Sequence, residues 1–169
     1  MGLVYKYFQI QSDGRVANTP DIMYESGSRK RAAPQDEIVQ LYVKDAPCIE
    51  YIDFIEKPFL LVSDSFKRTA MLYNGELSCR AVVLTEKKAC CQTVYWHIDL
   101  PEVDCLPPRK NNAVPTNKIV NTSKTGGLSF FKYQAPKYLE PLYIIRLDFA
   151  ESIIRRGLVG FRLTGLEHI

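Results

Sequence analysis

The chain has 169 residues, a formal net charge of +3, 46% hydrophobic and 24% charged residues, which is one ordinary core's worth of apolar material and too little length for two comfortable ones. Those proportions exclude an intrinsically disordered chain. A basic excess this mild, with a pI near 8.5, does not indicate the dense cationic stripe of a nucleic-acid surface, and no apolar run approaches a membrane span.

The opening "MGLVYKYFQIQSDG" lacks the long apolar core and small-residue cleavage site of a secretory signal, and Lys6 stands where a myristoylation motif needs Ser or Thr, so a cytoplasmic protein is expected. Its alternating "LVYKYFQI" reads as a first strand closed by the turn signal "SDG". The polar passage Asn18 to Glu37 reads as loop, and its basic run Ser28 to Arg31 as a solvated part of it. "DEIVQLYVKDAPCIEYIDFIEKP" fits a strand followed by a short helix and fits two strands equally well, with Pro47 and Pro58 marking the breaks. Glu50, Asp53 and Glu56 recur there at threes. On a helix they would form one acidic stripe able to meet a basic partner, although such a stripe is more often a solvated face.

From Pro58 the apolar run Phe59 to Val62 suits a strand buried on both faces. Ser63 or Asp64 can cap a following helix, with Phe66, Ala70 and Tyr73 on its inner face, Met71 close to it and Gly75 as a left-handed stop. "CRAVVL" returns as a strand. Near the end the pattern recurs: a strand over Leu142 to Ile145, Asp148 at a helix start, Phe149, Ile153 and Ile154 toward the core, Arg155 and Arg156 in the last turn, then Gly157 and a closing strand "VGFRL". The two segments make a weak internal repeat of strand, capped helix, glycine and strand. Between them "TVYWHIDL" alternates, with Val94, Trp96, Ile98 and Leu100 on one face and the wetter set Thr93, Tyr95, His97 and Asp99 on the other. "LPPRKNNAVPTN" is a proline-rich connection, "KTGG" a turn, and "LSFFKY" a further strand. The expected fold is α+β over a single domain, residues 1–169, with a mixed or mainly antiparallel sheet and a few short packed helices.

Chemistry-bearing sets are sparse. Five cysteines, an odd number in a well-cored chain, point to reduced thiols. Cys90, Cys91, His97 and Cys105 come nearest to a metal set, but adjacent cysteines on a strand point to opposite faces and share an ion badly, so no metal or other cofactor is expected. Cys105 with His97 and Asp99 or Asp104 could compose a nucleophilic set, yet the same residues describe an ordinary polar strand face. "KTGG" is no phosphate loop, lacking the Gly-Lys-Ser/Thr ending and a strand-to-helix setting.

"FLLVSDSFK", the aromatic strand entering "YWHIDLPEVDCL", and the closing "PLYIIRLDFAESIIRRGLVGFRL" together give residues 58–169 an order of features that resembles a family of bacterial immunity proteins of polymorphic toxin systems. Residues 1–57 carry no part of it. The resemblance implies a non-catalytic cytoplasmic protein that binds and neutralises a cognate toxin domain. It makes Glu50, Asp53 and Glu56, or the aromatic Tyr133 and Tyr138, the candidate toxin-binding residues, and the net positive charge argues against mimicry of nucleic acid. Two other readings compete: a cysteine-dependent enzyme using Cys105 with His97, and a nucleic-acid-binding accessory protein using "SRKR" and "PPRKNN".

Overall fold

The computed structural model describes residues 7–24, 38–106, 119–133 and 140–168. In chain order these form β1 (Tyr7–Ser12), β2 (Ile22–Met23), β3 (Val39–Val43), β4 (Phe54–Ile55), β5 (Leu61–Val62), α1 (Asp64–Tyr73), β6 (Ser78–Glu86), β7 (Cys91–Asp99), β8 (Glu102–Val103), β9 (Ile119–Val120), β10 (Phe130–Tyr133), β11 (Leu142–Arg146), α2 (Leu147–Arg155) and β12 (Phe161–His168). The fold is α+β, as expected. One sheet runs β8-β10-β11-β1-β12-β9 and the other β2-β3-β6-β7-β5-β4. Most pairings are antiparallel, the parallel ones being β3 with β6, β8 with β10 and β9 with β12.

The recurring segments occupy equivalent positions in different sheets. β5 and β6 each pair antiparallel with β7, which lies between them, so α1 connects two strands that run parallel. β11 and β12 each pair antiparallel with β1, so α2 does the same. In the first unit the intervening strand follows the second parallel strand; in the second it comes from the start of the described chain. The resemblance between the segments is one of geometry reached by two chain orders.

The helix ends follow local chemistry. At α1 the Ser63 hydroxyl accepts from the Phe66 amide at 3.2 Å, satisfying one of the first-turn donors that a helix leaves unpaired. Gly75 is not the stop that the sequence suggests. The helix ends at Asn74 with φ −130°, and Gly75 has no positive φ. The Asn74 side chain donates to the Phe130 carbonyl at 2.8 Å, so the end is fixed by a tertiary bond. α2 ends as expected: Gly157 has φ +69°, its amide reaches the Ile154 carbonyl, and the Leu158 amide reaches that of Ile153. These are the paired bonds of a Schellman ending.

Both helices and both sheets meet in one apolar cluster that includes Ile10, Phe54, Val62, Phe66, Ala70, Ile98, Phe130, Ile145, Phe149 and Ile153. Phe66 and Phe149 cross edge to face with centroids 5.6 Å apart, and the Tyr73 hydroxyl donates to the Asp148 carbonyl at 3.2 Å. Met71 and Ile154, expected near this core, are exposed, because Thr69 and Ala150 take the inward positions instead. The outer side of the first sheet has its own cluster around Tyr7, Cys105, Val120 and Phe131. That of the second gathers Val43, Ile52, Leu61, Leu84 and Tyr95. Tyr95 was expected on a wetter face. It is buried there, its hydroxyl donating to the Ile52 carbonyl at 2.6 Å, because the loop before β4 covers that side. The strand expected over Phe59 to Val62 is shorter, only Leu61 and Val62 being paired.

Gly160 has φ +88°, and a Cβ built there would lie 2.2 Å from the Ile52 Cβ, whereas one at Gly157 would meet nothing within 4 Å. Gly157→Ala is therefore expected to cost about 1 kcal/mol of backbone strain alone. Gly160→Ala adds a core clash, for a total of about 3 kcal/mol or more. Urea unfolding of the two variants checks this ordering, and equal costs would contradict the packing described for Ile52.

Candidate functional site

The three carboxylates singled out in the sequence do not form a stripe. Glu50 and Asp53 lie in the loop before β4 and Glu56 just after it. Glu50 is exposed. Asp53 accepts from the Ser63 hydroxyl at 2.5 Å and from the Val159 amide at 2.7 Å, and its own amide donates to the Val159 carbonyl. It thereby ties the start of α1 to the approach to β12. Glu56 accepts from the Ser12 amide at 2.7 Å, while its amide donates to the Ser12 hydroxyl at 3.0 Å. That exchange clips the end of β1 to β4. Two of the three carboxylates are thus committed to holding the fold.

Tyr133 is buried in the outer cluster of the first sheet with Tyr7 and Phe131. Tyr138 lies outside the described residues, as do the basic segments "SRKR" and "PPRKNN". The Cys105 thiol is fully buried in the cluster around Tyr7 and Phe131, and that burial pushes it up to about 11. A nucleophilic cysteine needs an accessible thiolate. The His97 ring belongs to a different environment: its Nδ1 donates to the Leu60 carbonyl at 2.9 Å, and it meets Phe59 edge to face. Among the described residues no three His, Cys, Asp or Glu side chains are grouped to hold a metal ion. Cys90 sits in the β6–β7 turn and Cys91 opens β7.

What the sequence reading missed is a surface. Register places Met23 beside Tyr42, Gln40 beside Val83, Tyr42 beside Thr85, Val83 beside Val94 and Thr85 beside Gln92. These residues share one face across β2, β3, β6 and β7, since side chains on paired strands align and alternate residues share a side. α1 covers that face at its other end, over Trp96 and Ile98. Beyond the helix Met23 is 44%, Tyr42 37% and Val94 50% exposed, and Ile38, two residues before Gln40, is 69% exposed. The polar members are neutral: Gln40 and Gln92 donate to the Thr85 hydroxyl at 3.1 and 3.5 Å. Cations stand at the margins, Lys87 over the Tyr42 ring at 4.3 Å and Lys67 over Trp96 at 3.3 Å. Toward the β2 edge the surface opens into a concavity of about 620 Å³ lined by Met23, Tyr24, Gln40, Tyr42 and Lys44, the last paired with Asp21 at 2.7 Å. A second cleft of about 600 Å³, between the end of α1 and Leu128, is floored by Asn74, whose side chain is already bonded to Phe130 and Ser129.

The signal for this face was present in the sequence. Outward positions of a solvated sheet commonly include charge, and here Gln40, Tyr42, Val83, Thr85, Gln92 and Val94, with Ile38 just before β3, carry none. A contiguous apolar and neutral patch on an exposed sheet marks a place for association. Compared with protein-family models and with curated proteins, the chain gives no match in either comparison. No helix among the described residues is long and apolar enough to cross a membrane.

Burial raises the Glu56 carboxyl above its ordinary value, outweighing the lowering by the Ser12 amide. A raised carboxyl means that the folded state binds more protons than the unfolded state between the two titrations, so stability falls as pH rises through that window. Glu56→Gln keeps an acceptor for Ser12 and removes the charge. The variant is expected to lose this decline and to be at least as stable as the parent at neutral pH, measured by urea unfolding from acid to neutral pH. A variant less stable than the parent at neutral pH, with the decline retained, would contradict the assignment.

Proposed function

We propose that this chain is a non-catalytic, cytoplasmic immunity protein that binds and neutralises a cognate toxin domain, and that it meets this partner with the uncovered face of the second sheet. The observation that carries the reading is that face: Met23, Tyr42 and Val94 are exposed together on paired strands, with Ile38 exposed just before β3 and neutral Gln and Thr between them. The resemblance of residues 58–169 to immunity proteins supplies the kind of partner. Aromatic and methionine side chains on a rigid sheet suit the centre of a protein interface, where desolvation favours neutral groups. The partner's matching surface is then apolar and neutral, and binding depends weakly on salt, unlike the capture of a basic nuclease by an acidic mimic.

The acidic trio has at most a small part in this reading. Glu50 is exposed and free to border an interface, while Asp53 and Glu56 are engaged within the chain.

The test uses the toxin domain encoded beside the gene. The parent chain should protect cells that express the toxin and should be retained with it in one-to-one complexes. Tyr42→Glu and Val94→Glu place a charge on the face at exposed positions. Each should fold as the parent does and weaken the complex by about a hundredfold, the cost of desolvating an unpaired charge at an interface centre. Protection undiminished in both variants would remove the face from the reading, and failure of the parent to protect would remove the immunity function itself.

A further inference from the structure

Cys90 and Cys91 are adjacent, and both thiols are exposed. Cys90 ends the turn Lys87–Cys90 that joins β6 to β7, while Cys91 forms the first rung of the hairpin opposite Glu86. Strand alternation would set adjacent side chains on opposite faces, but Cys90 has φ +51° and so stands outside that rule. Both sulfurs turn back over carbonyls of the same turn: the Cys90 Sγ lies 3.6 Å from the Lys87 oxygen and the Cys91 Sγ 3.3 Å from that of Ala89. Two accessible thiols therefore stand side by side at the junction of the turn and β7. The other cysteines differ: Cys48 is exposed alone in the loop after β3, Cys79 is half-buried and Cys105 buried.

We infer that Cys90 and Cys91 form a reversible dithiol–disulfide site at the tip of the β6–β7 hairpin, oxidised by small disulfides such as oxidised glutathione. The balance is simple. One cysteine, as thiolate, attacks a sulfur of oxidised glutathione, breaking its S–S bond and releasing one glutathione thiolate. The neighbouring thiolate then displaces the second glutathione from the mixed disulfide. Two protein thiols become one Cys90–Cys91 bond, one disulfide becomes two thiols, and the two protons lost by the cysteines are taken up by the released glutathiones. Adjacent residues hold their Cα atoms closer than an ordinary disulfide allows, which leaves such a bond strained and readily reduced.

The turn also carries Lys87, whose ammonium caps Tyr42, and Lys88, paired with Asp45 at 3.5 Å. The thiol pair therefore lies beside the rim of the uncovered sheet face. The inference concerns the chain itself and goes beyond the toxin-binding reading, holding whether or not a partner exists.

The test is equilibration of the full chain with mixtures of oxidised and reduced glutathione, followed by intact mass and peptide mapping. Expected is a species lighter by two hydrogens, with two of the accessible thiols lost, the new bond mapped to Cys90–Cys91 and Cys48 left as thiol or as a glutathione adduct. Cys90→Ser and Cys91→Ser should each abolish that species and trap the mixed disulfide on the remaining neighbour, while Cys48→Ser leaves it intact. Stable glutathione adducts on Cys90 or Cys91 of the parent, with no ring closure under any mixture, would overturn the inference, as would survival of the lighter species in either serine variant.

Discussion

The packing of Phe149 on α2 against Phe66 on α1 is the contact on which the rest of the molecule depends. Each helix belongs to a unit built into a different sheet, and neither sheet has a second layer of its own on that side among the described residues. The helices supply it for both. Phe54 and Phe130, from opposite sheets, also close on Phe66 at 5.6 and 5.8 Å, so a ring from each sheet and each helix joins the same aromatic group. Burial of several large rings contributes roughly 2 kcal/mol apiece before edge-to-face preferences are added. Asp53 reinforces the junction from outside, tying the first turn of α1 to the segment that follows α2.

That arrangement determines what is left open. α1 has only ten residues, about 15 Å of helix, and it is drawn toward the first sheet by its contacts with α2. It covers the second sheet over Trp96 and Ile98 and stops short of β2 and β3. The exposed face is therefore a consequence of how the helix is shared between two sheets. Its neutral side chains keep it from being an ordinary solvated surface, and the junction of the Lys87–Cys90 turn with β7 places a pair of thiols at its margin.

Much of the architecture was legible because it is local. Ser63 as a cap, Gly157 as a left-handed helix end and the alternation in β7 each follow from residues a few positions apart. The errors arose where distant groups decide the outcome. Gly75 yielded to Asn74 because the Phe130 carbonyl, far along the chain, offers a bond. Tyr95 is dry because the loop carrying Ile52 folds over it, and alternation alone cannot say which side of a strand receives a cover. Asp53 and Glu56 read as a possible acidic surface, since nothing local announces that Ser12, Ser63 and Val159 will claim them. The sheet face was half legible: each strand shows its uncharged outward positions, but only the register brings Met23, Tyr42, Val83 and Val94 side by side. The resemblance to immunity proteins speaks to the order of elements from Pro58 onward and is silent on this face, part of which comes from the unmatched residues before it.

The most direct test of the account is oxidative footprinting of the chain free and in complex with a toxin domain of the kind proposed as its partner. Met23 and Tyr42 lie on the proposed interface, and Met71, of similar exposure on α1, provides an internal reference. The account predicts that complex formation slows labelling of Met23 and Tyr42 at least several-fold and leaves Met71 unchanged. Protection of Met71 with Met23 and Tyr42 labelled as in the free chain would contradict it and move the interface to the helical side of the molecule.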